Sequence, residues 1–291
     1  MVLILVASLI DQASMNIKQC LLEQSSWLEI TTLFNNAVFQ HDSIKDVYLL
    51  TLSDRKITHE HLEKEITNTL GLVPQQAIFL SRHRSETGKP SLTVHPIGNY
   101  GSAEFGGKPQ TLVPSTPKLM TQLLRTMKTY LQKTTLSFEV CYEVTHHGPY
   151  LKIPTCFIEV GSTELEWKKK QPAAIIAQTL LDVLPNSRYE KDFSKDIPVL
   201  IGIGGGHYAP RFTDIAFEKN AAFGHMIPSY QINAGTINKS MIQQALEATP
   251  NVSGVYFHKK ALKKSQVTQY KQLCEEIDVP VISSKTLPSL L

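Results

Sequence analysis

The sequence predicts an α/β protein in which a mixed sheet is flanked by helices, and three observations predict it. Short apolar runs of strand length alternate with segments of helical period through much of the chain. Beyond the polar stretch Asn186–Asp196, the remaining residues read strand, helix, strand, helix, strand, the order of a parallel half-sheet. Of the 291 residues, 42% are apolar and 19% charged, a balance that supports a sizeable core rather than a disordered or fibrous chain.

The elements follow in order from this pattern. Val2–Ala7 is a continuous apolar run, the mark of a strand covered on both faces, and Gln12–Gln24 after it has helical period. Val47–Leu52 and Ala77–Leu80 are further apolar runs, separated by a helix over His59–Leu70. Pro117–Leu131 places Leu119, Met120, Leu123, Leu124, Met127, Tyr130 and Leu131 on one helix face and Lys118, Arg125 and Lys128 on the other. Phe138–Val144 and Thr155–Val160 are rich in β-branched and aromatic residues and read as strands, and Pro172–Leu184 reads as a helix. Strands at Val199–Ile203, Val252–Phe257 and Val279–Ile282 then alternate with helices at Lys239–Ala248 and Leu262–Glu276. There is no internal repeat, and composition does not shift across Asn186–Asp196. Residues 1–291 are therefore expected to form one compact unit, with 186–197 as the place where a lobe boundary would fall.

Lys and Arg total 29 against 26 Asp and Glu, a net charge of +3. Bulk charge binding to nucleic acid is excluded, and any such site must be a local patch. Cys20, Cys141, Cys156 and Cys274 form no CxxC pair and are expected to be reduced and mostly buried. The apolar opening Met1–Ile10 has no Lys or Arg before Lys18 and is half the roughly 20 residues a membrane span needs. It reads as a buried strand, and the expected location is the cytoplasm.

Glycines gather in two windows, Gly98, Gly101, Gly106 and Gly107, then Gly202, Gly204, Gly205 and Gly206. The second follows the strand Val199–Ile203, where α/β folds place ligands. Successive amides there would hold a phosphate or a developing oxyanion, or the glycines form an ordinary tight loop. No GK[ST] follows, which excludes a Walker loop, and Pro210 is expected to interrupt the helix that a dinucleotide fingerprint requires. His207 comes directly after the triplet and Arg211 four residues later.

The histidines repeat the pattern. His83, His95, His146, His147, His207 and His225 each lie where a strand meets a Gly- or Pro-rich loop. His41, His59, His61 and His258 sit in polar or basic surroundings and read as surface residues. The loop histidines are suited to zinc or to metal-free general-base work, and HExxH is absent. Glu86, Glu104, Glu159 and Asp214 are the carboxylates available to them. Ser85 and Thr87 lie beside His83 without a G-x-S-x-G elbow, so their hydroxyls are expected to bind substrate or cap the loop. The basic runs Lys168–Lys170 and His258–Lys264, with the cationic face of Pro117–Leu131, are either solvated faces or contacts for a phosphate backbone.

Several long segments resemble the archaeal and plant type of D-aminoacyl-tRNA deacylase. They are SRHRSETGKPSLTVHPIGNYG (Ser81–Gly101), EVTHHGP (Glu143–Pro149), FIEVGSTELEW (Phe157–Trp167) and GGGHYAPRFTDIA (Gly204–Ala216), with SLIDQASMNI (Ser8–Ile17) in support. The resemblance implies hydrolysis of the ester joining a D-amino acid to the 3′-terminal ribose of tRNA. It also implies zinc dependence, a monomer, no DNA partner, and a phosphorylase/hydrolase-like fold similar to peptidyl-tRNA hydrolase. With it, His83, His95, His146 and His207 are expected to converge as catalytic residues. The same four, with Glu104, are the expected zinc ligands. Ser85, Thr87, Asn99, Gly204, Gly205, Gly206 and Arg211 are the expected substrate contacts, with Arg211 and the lysine runs on the acceptor end and the vicinal ribose 2′-OH available to assist.

A metal-dependent exopeptidase or amidase on a related fold is the main alternative, because the same water-activating groups would serve it. A non-enzymatic tRNA-binding protein would leave the loop histidines without a role.

Overall fold

A computed structural model describes residues 1–185 and 197–290; the stretch Asn186–Asp196, marked in the sequence as a boundary, lies outside the described residues. The first strand, β1 (Leu3–Ser8), is fully buried and is followed by α1 (Gln12–Gln24), whose start is capped by the Asp11 carboxylate accepting from Ser14 N. Next come β2 (Trp27–Leu33), β3 (Asn36–His41), β4 (Val47–Leu52), α2 (Leu62–Leu70), β5 (Gln76–Arg82) and β6 (Ser91–Pro96). A small hairpin, β7 (Gly98–Asn99) with β8 (Thr111–Leu112), precedes α3 (Pro117–Leu131), β9 (Glu139–Tyr142) and β10 (Thr155–Gly161). These strands make an eight-stranded mixed sheet in the order β2-β3-β4-β1-β5-β10-β6-β9, parallel at its centre and antiparallel at β2-β3, β3-β4 and β10-β6.

Period-2 alternation explains the layers. Leu3 and Leu5 of β1 face one way, into an apolar layer with α1 and α3, whereas Ile4 and Val6 face the other way, onto Leu62 and Ile66 of α2. The apolar face of Pro117–Leu131 is buried as its periodicity predicts.

After α4 (Glu164–Trp167) and α5 (Lys170–Val183), the chain builds a second sheet from β11 (Val199–Ile203), α6 (Pro210–Glu218), β12 (Ala222–Ile227), α7 (Ser229–Asn233), α8 (Lys239–Glu247), β13 (Val252–Phe257), α9 (Lys264–Glu276) and β14 (Val281–Ile282). Its four strands are all parallel, in the order β12-β11-β13-β14. Leu200, Phe212, Phe223 and Tyr256 of this sheet share one apolar cluster with α1, α3 and α5 of the first. The segment after β9 stitches the sheets together, Val144 N donating to His207 O (2.9 Å) and Thr145 N to Met226 O (3.0 Å).

Two expectations change, at Pro210 and His41, and strands appear that the sequence pattern did not mark. Pro210 does not break a helix: it occupies the first turn of α6, where its missing N–H has no intrahelical partner to lose. The strand β12 hides in the sequence behind Gly224 and His225, and β6 behind its histidine and prolines. The hairpin β2-β3 carries an exposed polar face and turns through Phe34 and Asn35, both at positive φ, without the Asn-Gly pair that marks such turns. His41 is buried, its Nδ1 accepting from Ile44 N (3.0 Å) and its Nε2 lying 2.8 Å from Ser25 Oγ.

Candidate active site

The residues singled out in the first sheet and His207 of the second converge at the seam between the sheets. His83 directly follows β5, and its amide donates to Val160 O (2.9 Å), which holds it beside β10. Gly161 has to be glycine there, because a Cβ would come within 2.5 Å of Ser91 Oγ and 2.9 Å of His83 Cδ2. His95 on β6 lies opposite Phe157 of β10. Glu159, two residues on from Phe157, shares its face and points its carboxylate toward His83 and His95. Glu143, His146 and His147 come from the segment after β9, and His207 from the loop after β11.

Five imidazoles, those of His83, His95, His146, His147 and His207, form a continuous cluster in which touching rings have centroids 4.2–5.3 Å apart. Glu143 Oε2 lies 2.8 Å from His207 Nε2, 3.1 Å from His83 Nδ1 and 3.5 Å from His146 Nε2. Glu159 Oε2 lies 3.5 Å from His83 Nδ1 and 3.8 Å from His95 Nε2. The site opens into a cavity of about 650 Å³ that reaches from Glu159 and the histidines out to Arg55, Arg84 and Phe105.

Burial works against every charge here, and each outcome depends on what stands close by. Burial disfavours the charged forms of Glu143 and Glu159, yet the neighbouring imidazoles hold Glu143 well below the usual carboxylate range and Glu159 down to about 2. His83 likewise resists its own desolvation through Glu143 and Glu159 and is raised to about 11; His95 is raised through Glu159. Burial wins at His146 and His147, with the positive charge of His95 adding to it, so His146 falls well below its ordinary value and His147 to about 4.

The donor atoms present could hold a cation. His95, His146 and His147 donate Nδ1–H to the carbonyls of Pro96, Val144 and Gly148 (3.1, 2.8 and 2.6 Å), which leaves each Nε2 as a lone pair in the neutral imidazole. His95 Nε2 is buried without a hydrogen-bond partner, and neither oxygen of Glu143 receives a well-directed hydrogen bond despite the 2.8 Å approach of His207. Among the described residues, three groups bring ligand atoms within 4.8 Å of one another: His95, His146 and His147; His83, Glu143 and His207; His95, Glu143 and Glu159.

The other residues chosen from sequence divide differently. Glu104 belongs to none of these groups: the β7–β8 loop carries it out to the exposed cavity rim, where it accepts from Ser102 Oγ (3.2 Å). Asn99 lines the cavity, but its Nδ2 donates to Gly106 O and Lys108 O and shapes that same loop. The amides of Gly204 and Gly205 are occupied by Ile227 O and Ser229 Oγ (2.8 and 2.9 Å), so they are not open to an oxyanion or phosphate. Both residues have φ near +100°, so the tight-loop reading describes them, and the loop delivers His207. Arg211 is outside the cavity lining and donates to Tyr256 Oη (3.0 Å). Ser85 and Thr87 lie 3.0 Å apart and connect through Tyr208 Oη to His83 Nε2 at 3.4 and 3.1 Å. His225 is a core residue held by Thr145 Oγ1 and Val113 O.

Two cationic stripes are not free. Arg125 donates to Ala216 O and Lys219 O, and Lys128 sits over the Phe217 ring, because α6 packs on that face of α3. Lys168, Lys169 and Lys170 pair with Glu164, Glu166 and Glu23. Lys259, Lys260, Lys263 and Lys264 are exposed and make no ion pair among the described residues.

Sequence reasoning undervalued His147 and did not select Glu143. The signal for Glu143 was present: a carboxylate inside the apolar run Val140–Val144 has to be buried, and a buried carboxylate needs cationic partners.

The family described as D-aminoacyl-tRNA deacylase matches residues 70–282, a span that contains all five histidines and both glutamates. D-aminoacyl-tRNA deacylases of Thermococcus onnurineus and Pyrococcus horikoshii are 39% and 38% identical to the chain, covering 94% and 96% of it and 96% and 98% of their own lengths. That of Methanosarcina acetivorans is 33% identical over 97% of the chain and 92% of its own. A solved structure of a conserved protein of unknown function superposes with a TM-score of 0.88 at 28% identity, over 100% of this chain and 99% of the other. Motif order, site and full-length similarity agree: the chain belongs to the D-aminoacyl-tRNA deacylase family.

Proposed function

We propose that this chain hydrolyses the ester between a D-amino acid and the 3′-terminal ribose of tRNA, releasing the free amino acid and reusable tRNA. The observation that carries the reading is the convergence of five imidazoles and two buried carboxylates at the base of one open cavity, in a chain of this family. Water attacks the carbonyl carbon, the bond from that carbon to the ribose oxygen breaks, and the ribose oxygen takes up a proton. His207, half-buried and backed by Glu143 at 2.8 Å, accepts the proton of the attacking water and returns it to the ribose. Its tether to Val144 N through its own carbonyl fixes that geometry.

The same residues suit zinc. His95, His146 and His147 would hold it through Nε2, with Glu143 or Glu159 as carboxylate ligand. When bound, zinc would polarise the ester carbonyl and lower the pKa of water. Glu104 has no part in this reading. All of these groups come from one chain, so a monomer suffices. The four cysteines are free and buried, and no helix among the described residues is long and apolar enough to cross a membrane, which supports placing the enzyme in the cytoplasm. The exopeptidase alternative is not favoured, because the chain matches deacylases over nearly its full length.

The deciding experiment pairs D-Tyr-tRNA and L-Tyr-tRNA, each with chelator and with added zinc, alongside the metal content of the protein. Rapid D-selective release with zinc bound and lost to chelator is the expected result. D-selective release from a zinc-free protein would retain the substrate and remove the metal, and no release from D-Tyr-tRNA would overturn the function.

A further inference from the structure

Building on the deacylase reading, we propose that Phe105 is the platform on which the terminal adenine of the tRNA stacks while its ribose ester is cut. The Phe105 ring is 65% exposed, an unusual state for an aromatic side chain, and it lines the same cavity as His146, His147, His207 and Glu159. A single exposed apolar residue is ordinary on a protein surface; here the backbone around it is fixed. Phe105 O accepts from Gly148 N (3.2 Å), Gly106 O from Asn99 Nδ2 (2.9 Å), and Gly107 N donates to Glu60 Oε1 (2.7 Å). The other oxygen of Glu60 accepts from Tyr150 N, so the β7–β8 loop is tied to two further segments. The ring is thus presented in a set place with its face unpacked, at the mouth of the cavity whose base holds the hydrolytic groups.

Tyr230 on α7 adds a second exposed ring, 45% accessible, to the same cavity. Arg55 and Arg84 stand on its rim, exposed and without an ion pair among the described residues. Glu86 and Glu104 share that rim, so net positive charge does not select the ligand. A flat, sequence-tolerant apolar surface beside a few cations is how proteins hold single-stranded nucleotides, and the base nearest the scissile ester is the terminal one.

The test measures equilibrium binding of an acceptor-stem RNA hairpin ending in CCA, and of the same hairpin with an abasic terminal ribose, to the wild type, Phe105→Ala and Phe105→Trp. Loss of a base–aromatic stack weakens binding by roughly five- to a hundredfold. The wild type is expected to lose that factor when the base is removed. Phe105→Ala is expected to lose it on the intact hairpin and to be indifferent to the abasic change, and Phe105→Trp to restore both affinity and sensitivity. If Phe105→Ala remains as sensitive as the wild type, or the wild type is insensitive, the proposal fails. So does a Phe105→Ala defect in ester turnover that varies with the amino acid but not with the terminal base. Hydrolysis of D-Tyr-tRNA by the wild type, run in parallel, reads the deacylase function separately from this coupling.

Discussion

Glu143 and His207 meet at 2.8 Å across the seam between two separately hydrogen-bonded sheets. The contact joins a fully buried carboxylate from the eight-stranded sheet to an imidazole on the loop that leaves the four-stranded one. Around it, proximity and burial together set the local chemistry. The neighbouring imidazoles hold both carboxylates low although they are buried, and burial, with the charge of His95 adding to it, lowers His146 and His147.

Removing either partner is expected to disable turnover with the fold retained. Glu143→Gln and His207→Ala should each lower kcat by about 10²–10⁴, the range for a lost general acid–base group. Deacylation kinetics with circular dichroism as the folding control check this; a change under threefold in a folded variant would remove these residues from the mechanism.

The metal-free protein is expected to be most stable near pH 6.5. His147, lowered to about 4, favours the folded state above its ordinary 6.5 and loses that contribution as pH falls from 6.5 through 4. Glu159, lowered to about 2, loses its own contribution below its ordinary 4.5 as pH falls through 2. His83, raised to about 11, contributes fully below 6.5 and progressively less as pH climbs toward 11. Urea unfolding of chelator-treated protein across pH 4–9 should give a maximum with falling limbs on both sides, and a flat profile would contradict these shifts.

The unpaired lysines after β13 are expected to carry salt-dependent affinity for tRNA. Replacing Lys259, Lys260, Lys263 and Lys264 with Glu should raise KM by about tenfold or more. It should also flatten the dependence of log affinity on log salt by roughly 0.7–0.9 for each phosphate that is no longer neutralised. The same change at Lys168 and Lys169, which are paired with Glu164 and Glu166, should leave KM within about twofold. Filter binding over a salt series separates the two sets.

Lys56 and Asp11 form a buried ion pair at 2.5 Å, with side chains 4% and 7% exposed, and Asp11 also caps α1 and accepts from Arg82 N. Lys56→Ala leaves that carboxylate buried without its cation and should cost about 3–5 kcal/mol in chemical denaturation. A loss below about 1 kcal/mol would mean that water or another cation replaces the ammonium.

Much of the scaffold was legible because burial writes itself into the pattern. The run Leu3–Ser8 is buried on both faces and had no polar alternation to confuse it, and the two-faced helix Pro117–Leu131 buried its apolar stripe. The strands β6 and β12 were not legible, because each spends residues on chemistry or tight packing, His95 and Pro96 in one and Gly224 and His225 in the other. At the site, four histidines could be chosen because they stand at strand–loop junctions. Of the carboxylates the sequence offered, Glu159 lies against His83 and His95, whereas Glu104 points to solvent, and the buried Glu143 was not among them. The glycine triplet was readable as a sharp turn but not as to which way its amides face, because that depends on Ile227 and Ser229 from elsewhere in the chain.

The division of the donor groups between sheets also sets when the site is complete. His95, His146 and His147 are all synthesised before β11 begins, but the segment that carries His146 and His147 is anchored on the second sheet. The group of His83, Glu143 and His207 waits for the chain beyond β11 to emerge and dock. Both groups therefore reach their final geometry only when the second sheet docks, because Val144 N and Thr145 N, beside His146, donate to His207 O and Met226 O.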